Sequence, residues 1–225
     1  MINDMYWGFT NNETGFPSVG DFGNMQKRKR VSESMNEKHH EIYDPLIYTF
    51  GKEVHFSSDI NKLTIEILIK QMMAVIHEYY DDYDSRGEQL EITYIVDTPG
   101  GSAVSVLKFV DFINISKSKY PNLKFKSVIS GLAASAGTIM SCVADSRIMT
   151  RYAKAMIHDL AGQNNGTYTQ MLAQFEFTKD LNDTLVDIYM KHSHKSKDEL
   201  SELLKSNKWF NSEQYLEYGF VDSIA

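Results

Sequence analysis

Two segments of the chain offer a nucleophile and a base. Ser135 lies among small residues in GLAASAG, positions 131–137, between a segment typical of a strand and one typical of a helix. Small neighbours let the backbone turn sharply, and the first amides of the helix face negative charge developing on a substrate. His158 ends the apolar segment AMIH, and imidazole is suited to take a proton from a serine hydroxyl. The pair indicates nucleophilic catalysis, with hydrolysis rising through an apparent pKa in the neutral region.

Each segment also has a plainer interpretation when it is taken alone. A run such as GLAASAG often marks a tightly packed helix start, and a histidine that ends a core strand is often structural. The turn TPGG at 98–101 follows another strand-like segment. Its glycines leave backbone amides open to a ligand, which suits an oxyanion hole, but an ordinary turn has the same composition.

Metal and redox chemistry have weak support in the sequence. The histidines are not spaced with Cys or carboxylate residues as metal ligands would be, and no metal or organic cofactor is implied. The single cysteine, Cys142, lies in the apolar context TIMSCVA and is predicted to be a buried packing residue. The chain contains no G-x-x-x-x-G-K-[ST] phosphate loop.

The elements that must position these residues alternate between strand and helix. We predict strands near 47–56, 90–96, 125–129 and 155–158, and helices near 60–79, from 102, and over 134–143, 169–192, 196–206 and 212–218. This order predicts an α/β fold with parallel strands and right-handed crossovers. The helix over 169–192 is longer than a compact domain needs, so we expect part of it to reach a neighbouring subunit.

The first 44 residues differ in composition from the remainder. They are rich in Asn, Gly, Ser and Glu, and the basic cluster QKRKR at 26–30 has no hydrophobic periodicity. We predict an arm over 1–44, flexible unless a partner orders it, and one domain over 45–225. The formal net charge of −7 argues against nucleic acid as the main partner. No apolar run is long enough for a membrane helix and the start lacks a signal-peptide layout, so the cytosol is the expected location.

Four segments in this order resemble the ClpP family of ATP-dependent peptidase subunits. TPGGS resembles the family's S-P-G-G turn, GLAASAG its G-x-A-A-S-x-G nucleophile segment, and MIHD its M-I-H-Q base segment. The ending EYGFVDSI at 217–224 resembles the family's E-Y-G-L-V-D-x-I. The resemblance covers about residues 45–225.

The resemblance implies a fold, an assembly and an activity. The fold would be the crotonase-like type, with repeated β-β-α units and the long helix protruding as a handle. Subunits would form a heptameric ring, or a stacked pair of rings, enclosing the active sites. The activity would be serine endopeptidase cleavage of unfolded polypeptides or peptides delivered by an AAA+ unfoldase ATPase.

The resemblance also assigns the site residues. Ser135 would be the nucleophile, His158 the general base, and the amides of Gly101 and Ala136 the oxyanion hole. The family's third catalytic position, usually aspartate in a D-x-[FW] context, reads Asn207-Lys208-Trp209 here. Asparagine can orient the imidazole but supplies no negative charge, so attenuated activity is expected.

Two alternatives remain open at the level of sequence. Asn207 favours a non-catalytic or weakly active regulatory ring subunit, whereas the retained Ser135 and His158 oppose it. An acyl-CoA enzyme of the wider crotonase superfamily would use an amide oxyanion hole without a serine nucleophile. Substitute carboxylates for the third position are Asp159, or Asp183 and Asp187 on the long helix.

Overall fold

The computed structural model describes residues 6–7, 44–162 and 165–225. Its strands are β1 Tyr6–Trp7, β2 Ile47–Phe50, β3 Glu53–Phe56, β4 Leu90–Thr98, β5 Gly101–Ser102, β6 Leu123–Ala134, β7 Ser146–Met149, β8 Lys154–Ile157, β9 Lys208–Phe210 and β10 Ser223–Ile224. Its helices are α1 Lys62–Ser85, α2 Ala103–Lys119, α3 Ala136–Cys142, α4 Tyr168–Lys191, α5 Lys197–Lys205 and α6 Ser212–Glu217. The predicted α/β class is confirmed.

Parallel strands form the centre of the larger sheet. The order is β10-β7-β6-β4-β3-β2, and every neighbouring pair in it is parallel except β2 with β3. Strand β8 pairs in parallel with the end of β6 and antiparallel with β9. Burial alternates from residue to residue along β4, and the fully buried side chains are Leu90, Ile92, Tyr94 and Val96.

The sequence prediction missed three short strands of this sheet. β7, β9 and β10 are only two to four residues long, and none has the apolar alternation that identifies a longer strand. They are held in place by pairing with strands distant in the chain, which local sequence does not reveal. β6 is longer than predicted and runs directly into Ser135.

Helix starts follow local capping chemistry. Asn61, Thr167, Ser196 and Asn211 each accept a backbone N–H with the side chain and form capping boxes at α1, α4, α5 and α6. Ser102 caps α2 by accepting from the Ser105 amide, so the helix predicted from position 102 begins one residue later.

Helix α4 changes character along its length. Its second half is packed into the core through Leu181, Leu185 and Tyr189, whereas Tyr168 and Phe175 in its first half are 78% and 61% exposed. A half-packed helix of this kind protrudes from the domain, as the resemblance implied.

Several sequence predictions fall partly outside the described residues. The basic cluster and most of the predicted 1–44 arm lie there, and the exceptions are Asp44 and β1, which pairs antiparallel with β5. In the described part of the chain no helix is long and apolar enough to cross a membrane. The same residues contain no cluster of three or more His, Cys, Asp or Glu side chains arranged to hold a metal ion.

Candidate active site

The site lies where three parallel strands end. Ala134, the last residue of β6, pairs with Met156 of β8, so Ser135 and His158 each follow the carboxyl end of one of two adjacent strands. The Ser135 amide donates to the Met156 carbonyl at 2.8 Å and fastens this turn to β8. The end of β4 pairs with the end of β6 through Thr98 and Ala133, which brings the TPGG turn to the same edge. Residues far apart in sequence therefore meet because parallel strands end on one side of a sheet.

Ser135 occupies a sharp strand-to-helix turn. Its φ is +56° and its ψ is −125°, a conformation rarely adopted by a residue with a side chain. A strained strand-to-helix turn that carries a serine is also the geometry of the nucleophile elbow of serine hydrolases. The small residues on either side of Ser135 leave room for this sharp turn.

Ser135 and His158 are joined by a hydrogen bond. His158 Nε2 lies 2.9 Å from Ser135 Oγ, within the range expected between a nucleophile and its general base. Both residues are buried, Ser135 completely and His158 with 8% of its surface exposed. The two side chains that sequence reasoning selected are thus in direct contact.

Burial sets the protonation state of His158. Loss of water around the ring disfavours imidazolium and lowers the pKa of His158 from 6.5 to about 4. The ring is therefore neutral at pH 7, and a neutral ring can accept the serine proton at Nε2. The sequence-based expectation of a pKa in the neutral region did not include this desolvation.

The glycine turn packs directly against the serine. A Cβ atom on Gly100 would lie 2.7 Å from Ser135 Cβ and 2.6 Å from the Ala134 carbonyl oxygen. Gly100 also has a φ of +100°, so both conformation and space require glycine here. The sequence indicates a role for the amides of both glycines of TPGG, but it does not predict that Gly100 packs against Ser135.

The Thr98 side chain stabilises the same turn through two hydrogen bonds. Its hydroxyl donates to the Ser58 carbonyl at 2.7 Å and accepts from the Gly100 amide at 3.1 Å. The side chain is 1% exposed, and its methyl group lies where a side chain on Gly137 would be. Because Thr98 occupies the Gly100 amide, the next amide of the turn, that of Gly101, is the better candidate for binding an oxyanion.

The buried hydroxyl groups of Thr138 and Tyr189 support the turn at Ser135 through hydrogen bonds. Thr138 Oγ1 donates to the Ser135 carbonyl at 2.6 Å and lies 2.5 Å from the Tyr189 hydroxyl. Threonine has one proton to donate, so Tyr189 must be the donor to Thr138. The contact links α3 to α4 across 51 residues of sequence, and no local pattern would have revealed it.

Asn207 directly precedes β9, as His158 directly follows β8. Strands β8 and β9 pair Ile157 with Lys208, so the same antiparallel register places Asn207 opposite His158 just beyond the ladder. Asn207 has a φ of +48°, which asparagine tolerates better than most residues, and it is exposed. The third position that the resemblance assigned to Asn207 stays a prediction.

The three carboxylates considered as substitutes for the third position are all at least partly exposed to solvent. Asp183 lies 3.5 Å from Lys197 in an exposed ion pair, and Asp187 is exposed on α4. Asp159 is also exposed, and its amide donates to the Leu204 carbonyl. Partial desolvation of this carboxyl nevertheless raises the pKa of Asp159, and the charge of Lys205 opposes the effect.

A comparison with protein-family models decides the relationship. The model described as Clp protease matches residues 34–225. The chain belongs to the Clp protease family. Family membership agrees with the fold, with the buried Ser135–His158 pair and with the glycine turn beside them.

Named relatives of this Clp protease family member are of modest identity. The chain is 28% identical over 195 residues to an ATP-dependent Clp protease proteolytic subunit of Streptococcus sanguinis, covering 85% of this chain and 92% of that one. A protein of the same name from Streptococcus pneumoniae strain Hungary19A-6 is 31% identical over 145 residues, covering 63% of this chain and 71% of the relative. The family and these names support a proteolytic subunit of the Clp type and a serine peptidase in general.

Proposed function

We propose that this Clp protease family member is a serine endopeptidase subunit that cleaves unfolded polypeptides inside a ring-shaped chamber. The observation that carries the proposal is the 2.9 Å contact between His158 Nε2 and Ser135 Oγ at a strained turn. Delivery of substrate by an AAA+ ATPase and a cytosolic location belong to the same proposal, supported by the resemblance and by the words ATP-dependent in the relatives' names.

The proposed reaction begins at Ser135. His158 Nε2 takes the hydroxyl proton as Oγ attacks the scissile carbonyl carbon, and the carbonyl oxygen becomes an oxyanion. The amides of Gly101 and Ala136 donate to that oxyanion. His158 then gives its proton to the leaving amine, and water repeats the sequence on the acyl-enzyme to release the second product.

Asn207 is proposed as the third member of this machinery. An Asn207 side-chain carbonyl can accept a hydrogen bond from the Nδ1–H of His158 and so hold the ring in the tautomer whose Nε2 is a base. It provides no negative charge to stabilise imidazolium, whereas the family's usual aspartate does. Attenuated turnover is the expected consequence.

Labelling of the full chain with a fluorophosphonate tests the proposal. The reagent forms a covalent bond with an activated serine, so intact mass should show one adduct and fragment masses should place it on Ser135. Ser135→Ala and His158→Gln should each lose the adduct, while Ser141→Ala, at a buried serine outside the pair, should retain it. A wild-type chain that forms no adduct would exclude the peptidase function.

A regulatory ring subunit is the second candidate, favoured by Asn207. In that case the chain would assemble with an active paralogue and alter its rate without reacting itself. Adduct formation at Ser135 separates the two functions. The third candidate, an acyl-CoA enzyme, has no observation in its favour beyond the shared superfamily fold.

A further inference from the structure

Strand β1 lies against the edge of the glycine turn. Tyr6 and Trp7 pair antiparallel with Ser102 and Gly101, in a two-stranded sheet separate from the main one. These residues belong to the segment that sequence composition assigned to an arm without structure of its own. The contact places part of the arm on the turn that we propose binds the oxyanion.

The hydrogen bonds of the turn determine which groups β1 meets. The Ser102 amide donates to the Ile60 carbonyl at 2.7 Å, and the Ile60 amide donates to the Gly100 carbonyl at 2.8 Å. Successive backbone groups of a strand face opposite edges, so the amide and carbonyl of Gly101 face away from Ile60. That is the edge on which β1 lies.

The register then identifies the bonded pair. In an antiparallel ladder, directly opposite residues alternate between pairs that exchange two hydrogen bonds and pairs that exchange none. Ser102 directs its amide to Ile60, so the bonded pair is Gly101 with Trp7. The Gly101 amide, our proposed oxyanion donor, is therefore directed at the Trp7 carbonyl.

We infer that the N-terminal strand Tyr6–Trp7 is an intramolecular inhibitor that occupies the peptide-binding edge of the active site. An extended substrate would use the same free edge of β5, because a strand edge binds a peptide by main-chain hydrogen bonds. Both cannot use one Gly101 amide at once. The complete burial of Ser135 and the 8% exposure of His158 describe a site that is closed in this conformation.

The contact is short enough to be displaced. Two residues of strand give few main-chain hydrogen bonds, and each contributes little net stability in water. A longer peptide held at high local concentration inside a chamber would compete effectively. The strand would thus close the site in the absence of substrate and open when peptide is abundant.

The test compares two proline variants of the full-length chain. Trp7→Pro removes the N–H that faces the Gly101 carbonyl, whereas Tyr6→Pro is the matched control because its N–H faces away from β5. This inference rests on the proposed peptidase function, so two readouts are needed. They are the rate of fluorophosphonate labelling at Ser135 and deuterium uptake of a fragment containing Gly101. Intact mass first establishes that residues 6–7 are present in the purified protein.

We expect Trp7→Pro to label at least fivefold faster than wild type and to take up deuterium faster at Gly101, with Tyr6→Pro close to wild type.

Unchanged uptake in Trp7→Pro would overturn the strand contact, and faster uptake with unchanged labelling would overturn its inhibitory role. Equal effects of both prolines would overturn the register. Faster uptake in a chain that never reacts would support the contact and overturn the peptidase function instead. If residues 6–7 were missing from the purified protein, the strand could not inhibit the mature chain, and the proposal would be overturned.

Discussion

At the scale of single residues, the site combines a strained serine with a histidine kept neutral by burial. Ser135 is held at a φ of +56° by its bond to Met156, and His158 has its pKa lowered to about 4. A neutral base beside a strained hydroxyl suits proton transfer but leaves imidazolium poorly stabilised. A substitution at position 207 can change how well the imidazolium form of His158 is stabilised.

Asn207→Asp should raise turnover because it adds a negative charge opposite His158. Loss of the carboxylate from a serine peptidase triad costs about 10⁴-fold in turnover, so a gain of about tenfold or more is expected here. The charge should also raise the pKa of His158 and move the midpoint of the pH–rate profile upward. Rates of peptide hydrolysis between pH 4 and 9 measure both effects.

Asn211→Asp is the matched control for that experiment. Asn211 caps α6, where aspartate caps equally well, and it adds the same charge four residues away. Equal rates in wild type and Asn207→Asp would mean that position 207 does not act on His158, and attention would turn to Asp159.

The free energy of unfolding should depend on His158 between about pH 4 and 6.5. In this window the unfolded chain protonates the residue at its ordinary pKa, whereas the folded chain, with a pKa of about 4, does not. The unfolded state binds more protons, so stability rises with pH through the window and is lost as pH falls. Urea unfolding at pH 5 and pH 7 should show a difference of about 1 to 3 kcal/mol from this group.

His158→Gln is the comparison that isolates this effect, because burial and Arg147 also lower the pKa of His192. The variant should retain the His192 contribution and lose that of His158. An identical pH dependence in the two proteins would contradict a buried neutral His158.

At the scale of elements, the site depends on how closely the ends of β4 and β6 approach. Gly100 leaves no space for a side chain beside Ser135, and Gly137 leaves none beside Thr98. The two glycines allow the turn and the elbow to pack as neighbouring strands do. A methyl group at either position would separate the proposed oxyanion hole from the nucleophile.

Gly100→Ala should therefore both destabilise the fold and abolish labelling of Ser135. Its φ of +100° adds backbone strain to the overlap, for a total of about 3 kcal/mol or more. Gly87→Ala is the control, because Gly87 has a φ of +68° but nothing within 4 Å of an added Cβ. That variant should lose about 1 kcal/mol and label normally. Similar stability and labelling in the two variants would show that the turn is not closely packed.

At the scale of the whole molecule, the first half of α4 is an apolar surface without a described neighbour. Tyr168, Leu172 and Phe175 are 78%, 47% and 61% exposed, which is costly for a chain in water unless another subunit covers them. We propose that subunits of this Clp protease family member contact one another through this surface.

Phe175→Glu should therefore weaken contact between stacked rings. A charge placed in an apolar interface is unfavourable, so light scattering should report particles of about half the wild-type mass if two rings are stacked. Tyr152→Glu, at an aromatic residue that is 87% exposed in the turn before β8, is the control. An unchanged mass in Phe175→Glu would exclude α4 from the ring contact.

The sequence by itself determined the class of fold and selected the two central residues of the candidate site. Strand and helix periodicity located β4, β6, β8 and the long helix α4, because apolar spacing is a local property. Ser135, His158 and the glycine turn carried recognisable local chemistry as well. Family resemblance then supplied the order in which these parts meet.

Only the tertiary structure decided how the parts act on one another. The lowered pKa of His158, the pairing of β8 with β9 and the Tyr189–Thr138 support all depend on contacts between distant segments. The pairing of β1 with Gly101 was likewise invisible in a segment that was predicted to be flexible unless a partner orders it. Periodicity describes which face of an element is buried, whereas desolvation, register and strand addition depend on what lies against that face.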